Sequence, residues 1–583
     1  MNPSTRLARL VVDELVRHGV REAVLAPGSR SAALALALHA ADAGGRLRLH
    51  VRVDERSAGF LALGLARGSH RPVPVVTTSG TAVAHLHPAV LEAHHAGLPL
   101  VVVCADRPAE LRGSGANQTT EQVRLFGAAV RWSADVPADA VAEERGEAAA
   151  AAWRAQVSRA VVAATGATTR DPGPVQLNCC FAPPLVPDDP PGSDPGGRDA
   201  PHGLAPGGRV GGGPWTVPPA GAQGPPVRLP LGPRTVVVAG DGAGPPARLL
   251  AERAGWPLVA EPTSGARTGQ HALRCGALLL AHEPLAARVE RVVSAGRPTL
   301  SRATTALLSR PDVEVVTLTP GARWVDPGNR AAAVVPAAVV DGPDDARWRD
   351  GWVHADRRVG AAVDHVLASA ATDLPAGDLL GPDVARAVSR AVPPGGLLFV
   401  GSSQPLRDLD LVAAPYPAGQ RRLVVANRGL SGIDGAASTA LGAALGRGSA
   451  RSLALLGDRT FLHDANGLLL GPDEPRPDLT LVVANDDGGS IFATLEQGAT
   501  AHAAAFERVF GTPTGTDLGA LCAATSTPHV RVGDVAELRS LLAAGAAGVR
   551  VLEAVVDRAG RRDLQDALRA AAVRALDGPG LGG

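Results

Sequence analysis

The chain has 583 residues, which is too long for one hydrophobic core and predicts about three or four domains of ordinary size. Arginine plus lysine equals aspartate plus glutamate at 57 each, so no net field attracts nucleic acid or an anionic membrane surface. The sequence contains no lysine, which excludes a Schiff-base lysine, a pyridoxal-phosphate anchor and a P-loop lysine, and leaves anion recognition to arginine.

The cysteines and the lack of long apolar stretches indicate a soluble protein of a reducing compartment. The cysteines have no C-x-x-C spacing and mostly lie in apolar runs; they are Cys104, Cys179, Cys180, Cys275 and Cys522. The N-terminal segment carries charges through its apolar face and has no small-residue cleavage site, so we expect no signal peptide. No uncharged stretch of about 20 strongly apolar residues could span a bilayer. We expect a cytoplasmic protein without membrane insertion and without a nucleic-acid partner.

The first domain is expected to span residues 1–185. A helix capped by Ser4 and Thr5 opens it, and Gly19 ends that helix. Apolar segments then alternate with loops and helices, and the predicted strands are EAVLAP, LRLHVRV, PVPVV, LPLVVVCAD and PVQLN. This repetition predicts a parallel, doubly wound α/β sheet whose ligand-binding loops follow the strands.

Four histidines of this domain raise the question of a metal site. They are His85, His87, His94 and His95, and they straddle a helix start at Pro88. Because they fall on different faces, scattered or partly buried histidines are the favoured interpretation.

Three further segments complete the predicted organisation. Residues 186–230 are rich in proline and glycine and have too few apolar residues for a core, so we expect a mobile linker. A central α/β domain, residues 231–342, begins with RTVVVAGDGAG and continues through the strands RPTLS and VEVVTL. A connecting helix, residues 343–371, leads to a C-terminal α/β domain, residues 372–583.

The central domain contains a glycine-rich turn that raises the question of a dinucleotide site. Gly240-x-Gly242-x-Gly244 resembles a dinucleotide fingerprint, but the last glycine is early and Pro245 follows at once. A tight turn at a strand end is therefore favoured.

Two turns of the C-terminal domain carry a stronger chemical signal. One strand ends at Gly457-Asp458, and after a helical segment a second strand ends at NDDGG, residues 485–489. Parallel strands joined by a crossover helix place both turns at the same edge of the sheet. Carboxylate, amide and backbone oxygens there suit Mg2+, and glycines let the backbone approach a phosphate. From this stretch alone, an ordinary strand–helix–strand unit with acidic turns remains the alternative.

The spacing of these turns resembles the thiamine-diphosphate signature, in which Gly-Asp is followed by Asn-Asn at a similar interval. Longer runs, spread over all three domains, are APGSRSAALALAL, VDERSAGFLALGLA, TTSGTAVA, ADRPAELRGSGANQ, GSSQPLRDLD, NRGLSGIDGAASTALG and GDRTFLHDANGL. With these runs the chain resembles the 2-succinyl-5-enolpyruvyl-6-hydroxy-3-cyclohexene-1-carboxylate synthases of menaquinone biosynthesis, which are thiamine-diphosphate-dependent enzymes.

The resemblance implies an architecture and a reaction. It implies three doubly wound parallel-sheet domains, of which the first binds the pyrimidine ring and the last binds the diphosphate and the metal. It implies that 2-oxoglutarate is decarboxylated and that the succinyl carbanion equivalent adds to isochorismate. It further implies a homodimer or a dimer of dimers with sites between subunits.

The resemblance also implies roles for individual residues. Glu55 is the implied catalytic residue, which hydrogen-bonds the aminopyrimidine, and Ile433 is the apolar residue that wedges the cofactor into its bent form. Asp458, Asp486 and the carbonyl of Gly488 are the implied ligands of Mg2+ or Mn2+. The further implied cofactor-binding residues are Gly80, Ser403, Gly457, Asn485 and Ile491. The implied substrate-binding residues are Ser29, Arg30, Arg107, Asn117, Gln118, Arg302, Ser403, Arg407, Arg428 and Phe492. Without the resemblance, Glu55 is a helix-start acid and each arginine a solvated charge.

Several positions depart from the family pattern. His85 stands where Asn is usual, His87 where an aromatic or apolar residue is usual, and Gln176 replaces a His. Arg459 follows Gly-Asp where an apolar residue is common, and Asp486 stands for the second Asn. We expect these departures to change local geometry and to leave the reaction class unchanged.

Two other functions stay open from the sequence. A different thiamine-diphosphate carboligase or decarboxylase, similar to acetolactate synthase, would share Glu55 and the metal turns, but a small 2-oxo acid has only one carboxylate and would not need the arginines. A flavin- or dinucleotide-binding redox protein would use residues 240–244, and a yellow preparation would indicate it.

Overall fold

The computed structural model describes residues 1–138, 146–188, 208–209, 211–218, 224–448 and 451–578. The chain divides into two compact units. Unit 1 consists of Met1–Gly221, Gly429–Gly448 and Asp464–Pro475, and unit 2 of Ala222–Arg428, Ser449–His463 and Arg476–Gly583. Within the described residues, no helix combines the length and the apolar character needed to cross a membrane.

Unit 1 is built on a parallel sheet, as predicted. Its described strands lie in the order Arg48–Val51, Glu22–Leu25, Val73–Thr77, Leu100–Asp106, Val175–Phe181 and Ser133–Ala138. Its described α-helices are Pro3–Arg17, Ala32–Ala43, Glu55–Ser69, Thr81–Ala84, His87–Ala96, Glu147–Thr165 and Ala436–Arg447. Helices alternate with these strands along the chain. Parallel neighbours need such crossovers, because the chain must return to the end of the sheet where the previous strand began.

Two local predictions for unit 1 were wrong. The first helix is capped by Asn2, whose side chain accepts a hydrogen bond from the amide of Thr5, so Ser4 and Thr5 lie inside the helix. The strand predicted as PVQLN continues through Cys179 and Cys180 to Phe181, because these residues pair with the neighbouring strands and are buried.

A close helix pair lies within unit 1. Helix Glu55–Ser69 packs against helix Ala436–Arg447 through glycines. A Cβ atom on Gly64 would lie 2.3 Å from the carbonyl oxygen of Thr439, and one on Gly442 would lie 2.2 Å from that of Leu61. The two backbones can approach this closely only because these positions carry no side chain.

Unit 2 contains two larger parallel sheets. The described strands of the first lie in the order Ala331–Val335, Glu314–Leu318, Arg291–Ala295, Thr235–Ala239 and Leu258–Ala260. Those of the second lie in the order Leu423–Val425, Leu397–Val400, Ser452–Gly457, Leu479–Asn485, Val549–Val555 and His529–Val532. A short parallel pair joins Val227–Arg228 to Ala338–Val339.

The helices of unit 2 cover these sheets. The described α-helices are Pro245–Ala254, Gly276–Ala281, Glu283–Ala286, Arg302–Leu308, Ala346–Thr372, Gly381–Ala391, Gln404–Val412, Asp458–His463, Ser490–Ala493, Ala503–Phe506, Leu518–Ala524, Val535–Ala544 and Arg561–Asp577. A single helix, Ala346–Thr372, lies where the connecting helix was predicted. The strand predicted as RPTLS was wrong: the strand is Arg291–Ala295, which precedes it, and Arg302 begins a helix.

The glycine pattern of the central domain forms a turn packed on protein. A Cβ atom on Gly240 would lie 2.0 Å from the carbonyl carbon of Arg297, so the neighbouring backbone occupies that side of the turn. Pro245 is the first residue of helix Pro245–Ala254. The tight turn at a strand end is therefore the correct interpretation of this pattern.

Most of the expected linker, residues 189–207 above all, lies outside the described residues, so its mobility stays a prediction. Its described part contacts the first helix: Arg17 Nη1 donates to the carbonyl of Gly213 at 3.3 Å, and the amide of Trp215 donates to Glu14 at 2.5 Å. All five cysteines are free and buried.

Candidate functional site

The two acidic turns lie at the same edge of a sheet, as predicted. Strand Ser452–Gly457 pairs in parallel with strand Leu479–Asn485, and Gly457 lies opposite Ala484. Asp458 follows the first strand and Asp486 follows the second. Asp458 is 4 % exposed, and its Oδ2 accepts a hydrogen bond from the amide of Gly488 at 3.0 Å. The register thus brings the three predicted metal ligands together.

The charges of this pair favour a cation. Burial, and then the neighbouring carboxylate of Asp486, raises the pKa of Asp458 to about 7. Burial likewise raises the pKa of Asp486, whose Oδ1 is buried and has no hydrogen-bond partner among the described residues. An unpaired buried carboxylate oxygen is costly, and a divalent cation between the two acids would remove that cost. Two carboxylates and a backbone carbonyl are ligands that Mg2+ accepts.

The neighbouring side chains of the second turn are engaged elsewhere. Asn485 Nδ2 donates to Glu553 at 2.7 Å. Asp487 Oδ1 accepts hydrogen bonds from the amides of Thr514 and Gly515 at 2.9 and 3.0 Å. Asp486 is therefore the side chain of this turn that is left for an ion.

The glycines of this turn are also required by protein packing. A Cβ atom on Gly488 would lie 2.7 Å from the carbonyl oxygen of Gly511, and one on Gly489 would lie 2.7 Å from that of Phe510. Protein packing therefore requires glycine at both positions, in addition to the predicted approach of a phosphate.

A third strand end borders the acidic pair. Strand Leu397–Val400 lies next to Ser452–Gly457, and the chain after it leads to Ser403 at the start of helix Gln404–Val412. Ser403 has φ 93° and ψ −142°, a strained conformation for a residue other than glycine. Such strain concentrates at ligand sites, where the surrounding structure holds it. Ser403 is therefore placed at the sheet edge where the cofactor contact was predicted.

The structure gives Arg459, which departs from the family pattern, a local role. Arg459 Nη1 donates to the carbonyl of Phe510 at 3.1 Å, and its guanidinium carbon lies 5.8 Å from the centroid of the Phe492 ring. The rings of Phe492 and Phe510 are 5.9 Å apart. Arg459 therefore orders the helix Ser490–Ala493, which carries the predicted contacts Ile491 and Phe492.

The predicted arginines of unit 2 form a group of like charges. Desolvation, and then repulsion from Arg428 and Arg302, lowers the pKa of Arg407, although its side chain keeps contact with solvent. Arg428 is 5 % exposed, and its Nη2 donates to Thr299 Oγ1 at 2.9 Å. Its Nε is buried without a hydrogen-bond partner among the described residues. An anionic ligand would satisfy this donor and offset the repulsion, so the group is suited to bind carboxylates.

Arg302 is the most open member of this group. Its side chain is 80 % exposed and lies 3.4 Å from Glu496, which is 84 % exposed. An exposed pair of this kind is weak, so it leaves the Arg302 guanidinium available to a ligand.

The predicted catalytic residue Glu55 is held by the cap of its helix. Asp54 is the N-cap of helix Glu55–Ser69, and its Oδ1 accepts hydrogen bonds from the amides of Arg56 and Ser57. Asp54 Oδ2 accepts a third from Asn466 Nδ2 at 2.8 Å. The half-buried Glu55 is thus the first residue of a helix whose start is fixed on both sides.

A second acid ties the same helix to its partner. Asp464 is fully buried, and its carboxylate accepts hydrogen bonds from Ser57 Oγ at 3.0 Å and from the amide of Ser438 at 2.7 Å. Ser438 lies in the first turn of helix Ala436–Arg447. Asp464 and Asn466 of the GDRTFLHDANGL run therefore support the residues around Glu55 in unit 1.

The TTSGTA loop of unit 1 gathers several predicted residues. Arg107 Nη1 donates to Ser79 Oγ at 2.6 Å and to the carbonyl of Gln118 at 2.7 Å. Gln118 has φ 56°, and its side chain donates to the carbonyl of Ser79 at 2.9 Å. Gly80 has φ 80°, a conformation that favours glycine, and a Cβ atom there would lie 3.0 Å from Gln118 Cγ.

The remaining predicted residues of unit 1 lie around this loop or at its surface. Arg30 Nη1 donates to the carbonyl of Phe181 at 2.8 Å, and burial followed by the charge of Arg107 lowers the pKa of Arg30. Ser29 and Asn117 are exposed, and among the described residues no hydrogen-bond partner fixes their side chains.

Two buried side chains position predicted residues although the sequence did not single them out. Gln122 Oε1 accepts a hydrogen bond from the amide of Gly80 at 2.8 Å, and Gln176 supports Gln122 by donating to its carbonyl at 2.6 Å. Glu92 accepts hydrogen bonds from the amides of Gly429 and Leu430 at 2.6 and 2.7 Å, and so anchors the loop that carries Ile433. Only a long-range contact reveals these roles, since neither residue lies in a strand-end turn.

The histidines of the first domain take part in separate local contacts. The ring of His87 lies 5.5 Å from that of Phe126, and the rings of His94 and His95 pack edge to face at 4.9 Å. His85 is exposed. Across the described part of the chain, no three histidine, cysteine or acidic side chains are grouped for metal binding.

The chain is similar to known proteins over nearly its whole length. The family model for the thiamine pyrophosphate enzyme, N-terminal TPP binding domain, matches residues 5–125. A protein of Nocardioides sp. is 51 % identical over 97 % of this chain and 98 % of its own length, and one of Kineococcus radiotolerans is 53 % identical over 99 % and 100 %. A third, from Mycobacterium avium, is 46 % identical over 98 % and 100 %. All three are named 2-succinyl-5-enolpyruvyl-6-hydroxy-3-cyclohexene-1-carboxylate synthase.

Proposed function

This chain belongs to the 2-succinyl-5-enolpyruvyl-6-hydroxy-3-cyclohexene-1-carboxylate synthase family, and on that premise we propose how its own residues carry out the reaction. The cofactor is thiamine diphosphate. The reaction takes 2-oxoglutarate and isochorismate, releases the carboxyl carbon next to the ketone as CO2, and joins the succinyl unit to the isochorismate ring. It serves menaquinone biosynthesis.

The residues of unit 2 bind the charged part of the cofactor. Asp458, Asp486 and the carbonyl of Gly488 would hold Mg2+ or Mn2+ at the sheet edge, and the ion would neutralise the diphosphate. Support comes from Oδ1 of Asp486, a buried carboxylate oxygen that has no hydrogen-bond partner among the described residues and is suited to bind a cation. Ser403 and Gly457 lie at the same edge.

The residues of unit 1 bind and activate the organic part. When bound, thiamine diphosphate supplies the electron sink for decarboxylation. Glu55 would hold a proton shared with the pyrimidine ring, and the cap formed by Asp54 fixes the backbone from which its side chain extends. Ile433 would exclude water and set the cofactor's shape from the loop that Glu92 anchors.

The arginines decide the choice of substrates. Both 2-oxoglutarate and isochorismate carry more than one carboxylate, and guanidinium groups bind carboxylates through paired hydrogen bonds. The single observation that carries this assignment is the group of Arg407, Arg428 and Arg302, in which the Nε of Arg428 has no hydrogen-bond partner within the described part of the chain. An acetolactate-synthase-like enzyme, which acts on a 2-oxo acid with one carboxylate, has no use for this group.

One reaction mixture tests the proposal. The purified chain is mixed with thiamine diphosphate, Mg2+, 2-oxoglutarate and isochorismate, and the loss of isochorismate and the release of CO2 are followed together. We expect both, in equal amounts. Equal activity with pyruvate in place of 2-oxoglutarate would support the acetolactate-like alternative, and no reaction with either oxo acid would refute the substrate assignment.

The assembly and the location of the protein are part of the same proposal. We infer a homodimer or a dimer of dimers, with each site formed between subunits, because the family resemblance implies that arrangement. We further infer that the enzyme works in the cytoplasm, where free cysteines such as the five buried ones persist.

A further inference from the structure

A buried carboxyl group lies behind the arginines of unit 2. Glu261 follows strand Leu258–Ala260 and is 7 % exposed. Its Oε1 accepts a hydrogen bond from the amide of Leu300 at 2.7 Å, whereas its Oε2 is buried and has no hydrogen-bond partner among the described residues. Nothing in the proposed reaction uses this group.

The carboxyl is connected to a predicted substrate residue through one turn. Leu300, which Glu261 anchors, follows Thr299, whose Oγ1 accepts the hydrogen bond from Arg428. Arg428 is itself buried and close enough for its charge to act on Glu261. Glu261 therefore affects Arg428 in two ways, through the turn that holds the guanidinium and through its charge.

The space at Glu261 excludes a direct contact with substrate. The cavity that it lines with Arg267 and Thr304 has a volume of about 10 Å³, room for a single water at most. The charged groups that face Glu261 are Arg428, after strand Leu423–Val425, Asp410, in helix Gln404–Val412, and Asp241, after strand Thr235–Ala239. Arg267 lines the same cavity and is paired with Asp410 at 2.7 Å.

We infer that Glu261 is a positioning residue for the anion-binding arginines: as a neutral carboxyl it holds Leu300 and leaves the charge of Arg428 to a substrate carboxylate, and as a carboxylate it competes for that charge. The inference rests on the proposed function, because it assigns Arg428 to substrate binding. Substrate affinity then depends on the proton of the Glu261 carboxyl group, which no substrate contacts.

The protonation state follows from burial. Burial raises the pKa of Glu261 to about 8, and the nearby acids Asp410 and Asp241 add to this while Leu300 and Arg428 oppose it. The side chain is therefore neutral at neutral pH and ionises as the pH rises through about 8. The folded state holds a proton that the unfolded chain has released, so this group lowers stability increasingly as the pH rises from the ordinary carboxyl range to about 8.

The test compares the full-length enzyme with three variants, loaded with thiamine diphosphate and Mg2+. Glu261→Gln keeps an acceptor for Leu300 and cannot ionise, and Glu261→Ala removes the anchor. Glu283→Gln changes an exposed glutamate that begins helix Glu283–Ala286 and serves as control. For each protein, kcat and KM for both substrates are measured between about pH 6.5 and about pH 9.5, which spans the ionisation of Glu261.

We expect the KM of the wild type and of Glu283→Gln for at least one substrate to rise about fivefold or more above pH 8, and that of Glu261→Gln to change by less than about twofold. At neutral pH, Glu261→Ala should raise KM about tenfold and change kcat much less, because the arginine loses its support. A Glu261→Gln profile that follows the wild type would overturn the inference, as would an unchanged KM in Glu261→Ala.

A second readout separates this inference from the proposed function. Thermal unfolding of the unliganded proteins at about pH 9 should show Glu261→Gln more stable than the wild type, because it removes a buried charge. Equal stability would overturn the assigned ionisation of Glu261. Absence of turnover in the wild type with both substrates would instead refute the proposed function. The stability comparison would still test whether Glu261 ionises.

Discussion

Asp486 places a second carboxylate beside Asp458, where the family pattern has an amide. Asp486→Asn should keep Mg2+ and activity while weakening metal affinity, because one of two negative charges is lost. Asp486→Ala should lose cofactor binding, since without a ligand at this position the remaining acid and the diphosphate repel each other. Titration of Mg2+ against thiamine-diphosphate binding, by calorimetry, measures both effects.

Asp487→Asn is the matched control for these variants. Its carboxylate binds the amides of Thr514 and Gly515, so metal affinity should stay near that of the wild type. If Asp486→Ala binds metal and cofactor like the wild type, Asp486 is not a ligand.

Glu55 can be tested against a residue in the same structural position. Glu55→Gln keeps the size of the side chain and removes the carboxylate that shares a proton with the pyrimidine, so kcat should fall by on the order of a hundredfold or more. Thiamine diphosphate should still bind, because the metal holds the diphosphate. Steady-state kinetics and calorimetry on the same preparation measure the two quantities.

Glu147 also begins a helix, Glu147–Thr165, and lies exposed. Glu147→Gln should leave kcat unchanged, because it alters only a favourable interaction with the helix N-terminus. Equal kcat in Glu55→Gln and Glu147→Gln would mean that Glu55 is a helix-start acid without a catalytic role.

Residues with a local signal were predictable, and residues with a distant one were not. Asp458 and Asp486 follow buried strands, and the continuous apolar runs of those strands are readable from the sequence. Gln122 accepts a hydrogen bond from the amide of Gly80, and Glu92 accepts two from the amides of Gly429 and Leu430, all far away along the chain. Such a contact depends on the packing of complete elements, and no sequence pattern around Gln122 or Glu92 predicts it.

At the level of elements, the glycine contact between helices Glu55–Ser69 and Ala436–Arg447 makes a stability prediction. Gly64→Ala should lower the free energy of unfolding by about 1–3 kcal/mol, because the added methyl group meets the backbone of Thr439. The clash opposes the gain in helix propensity of up to about 1 kcal/mol that alanine brings. Denaturant unfolding followed by circular dichroism measures the difference.

Gly351→Ala provides the comparison. Gly351 lies in helix Ala346–Thr372 and has open space around its Cβ position, so alanine should stabilise the protein by up to about 1 kcal/mol. A Gly64→Ala protein as stable as Gly351→Ala would show that the two helices of unit 1 separate easily.

Element types were predicted better than their ends. The connecting helix shows buried apolar residues at helical spacing, and the strands before both acidic turns are continuous apolar runs because they are buried on both faces. The cap at Asn2 and the extension of strand Val175–Phe181 were missed. A cap is decided by one hydrogen bond, and the last residues of a strand are decided by the neighbour they pair with.

At the scale of the whole molecule, the assembly makes a further prediction. If each site is formed between subunits, the protein should sediment as a dimer or a larger species at about micromolar concentration, and dilution that dissociates it should abolish turnover. Sedimentation velocity and activity are measured over the same dilution series. A monomeric species that retains full activity would contradict a shared site.

The division of the chain into two units was also not predicted from the sequence. Unit 1 includes Gly429–Gly448 and Asp464–Pro475, which a reading in chain order assigns to the last domain. These segments join unit 1 through the glycine contact of two helices and through the carboxylate of Asp464. Neither contact follows from local propensity, because both depend on which surfaces meet after the sheets have formed.

The five buried thiols allow local opening to be followed in separate regions. Cys104, Cys179 and Cys180 lie in the sheet of unit 1, Cys275 before helix Gly276–Ala281, and Cys522 in helix Leu518–Ala524. Burial raises the pKa of each thiol, for Cys104 and Cys275 to about 12 and for Cys522 to about 11, so the folded protein offers almost no thiolate to an alkylating reagent. A thiol then reacts only when its region opens. Pulsed alkylation followed by peptide mass spectrometry would rank these regions by their opening free energy without any engineered label.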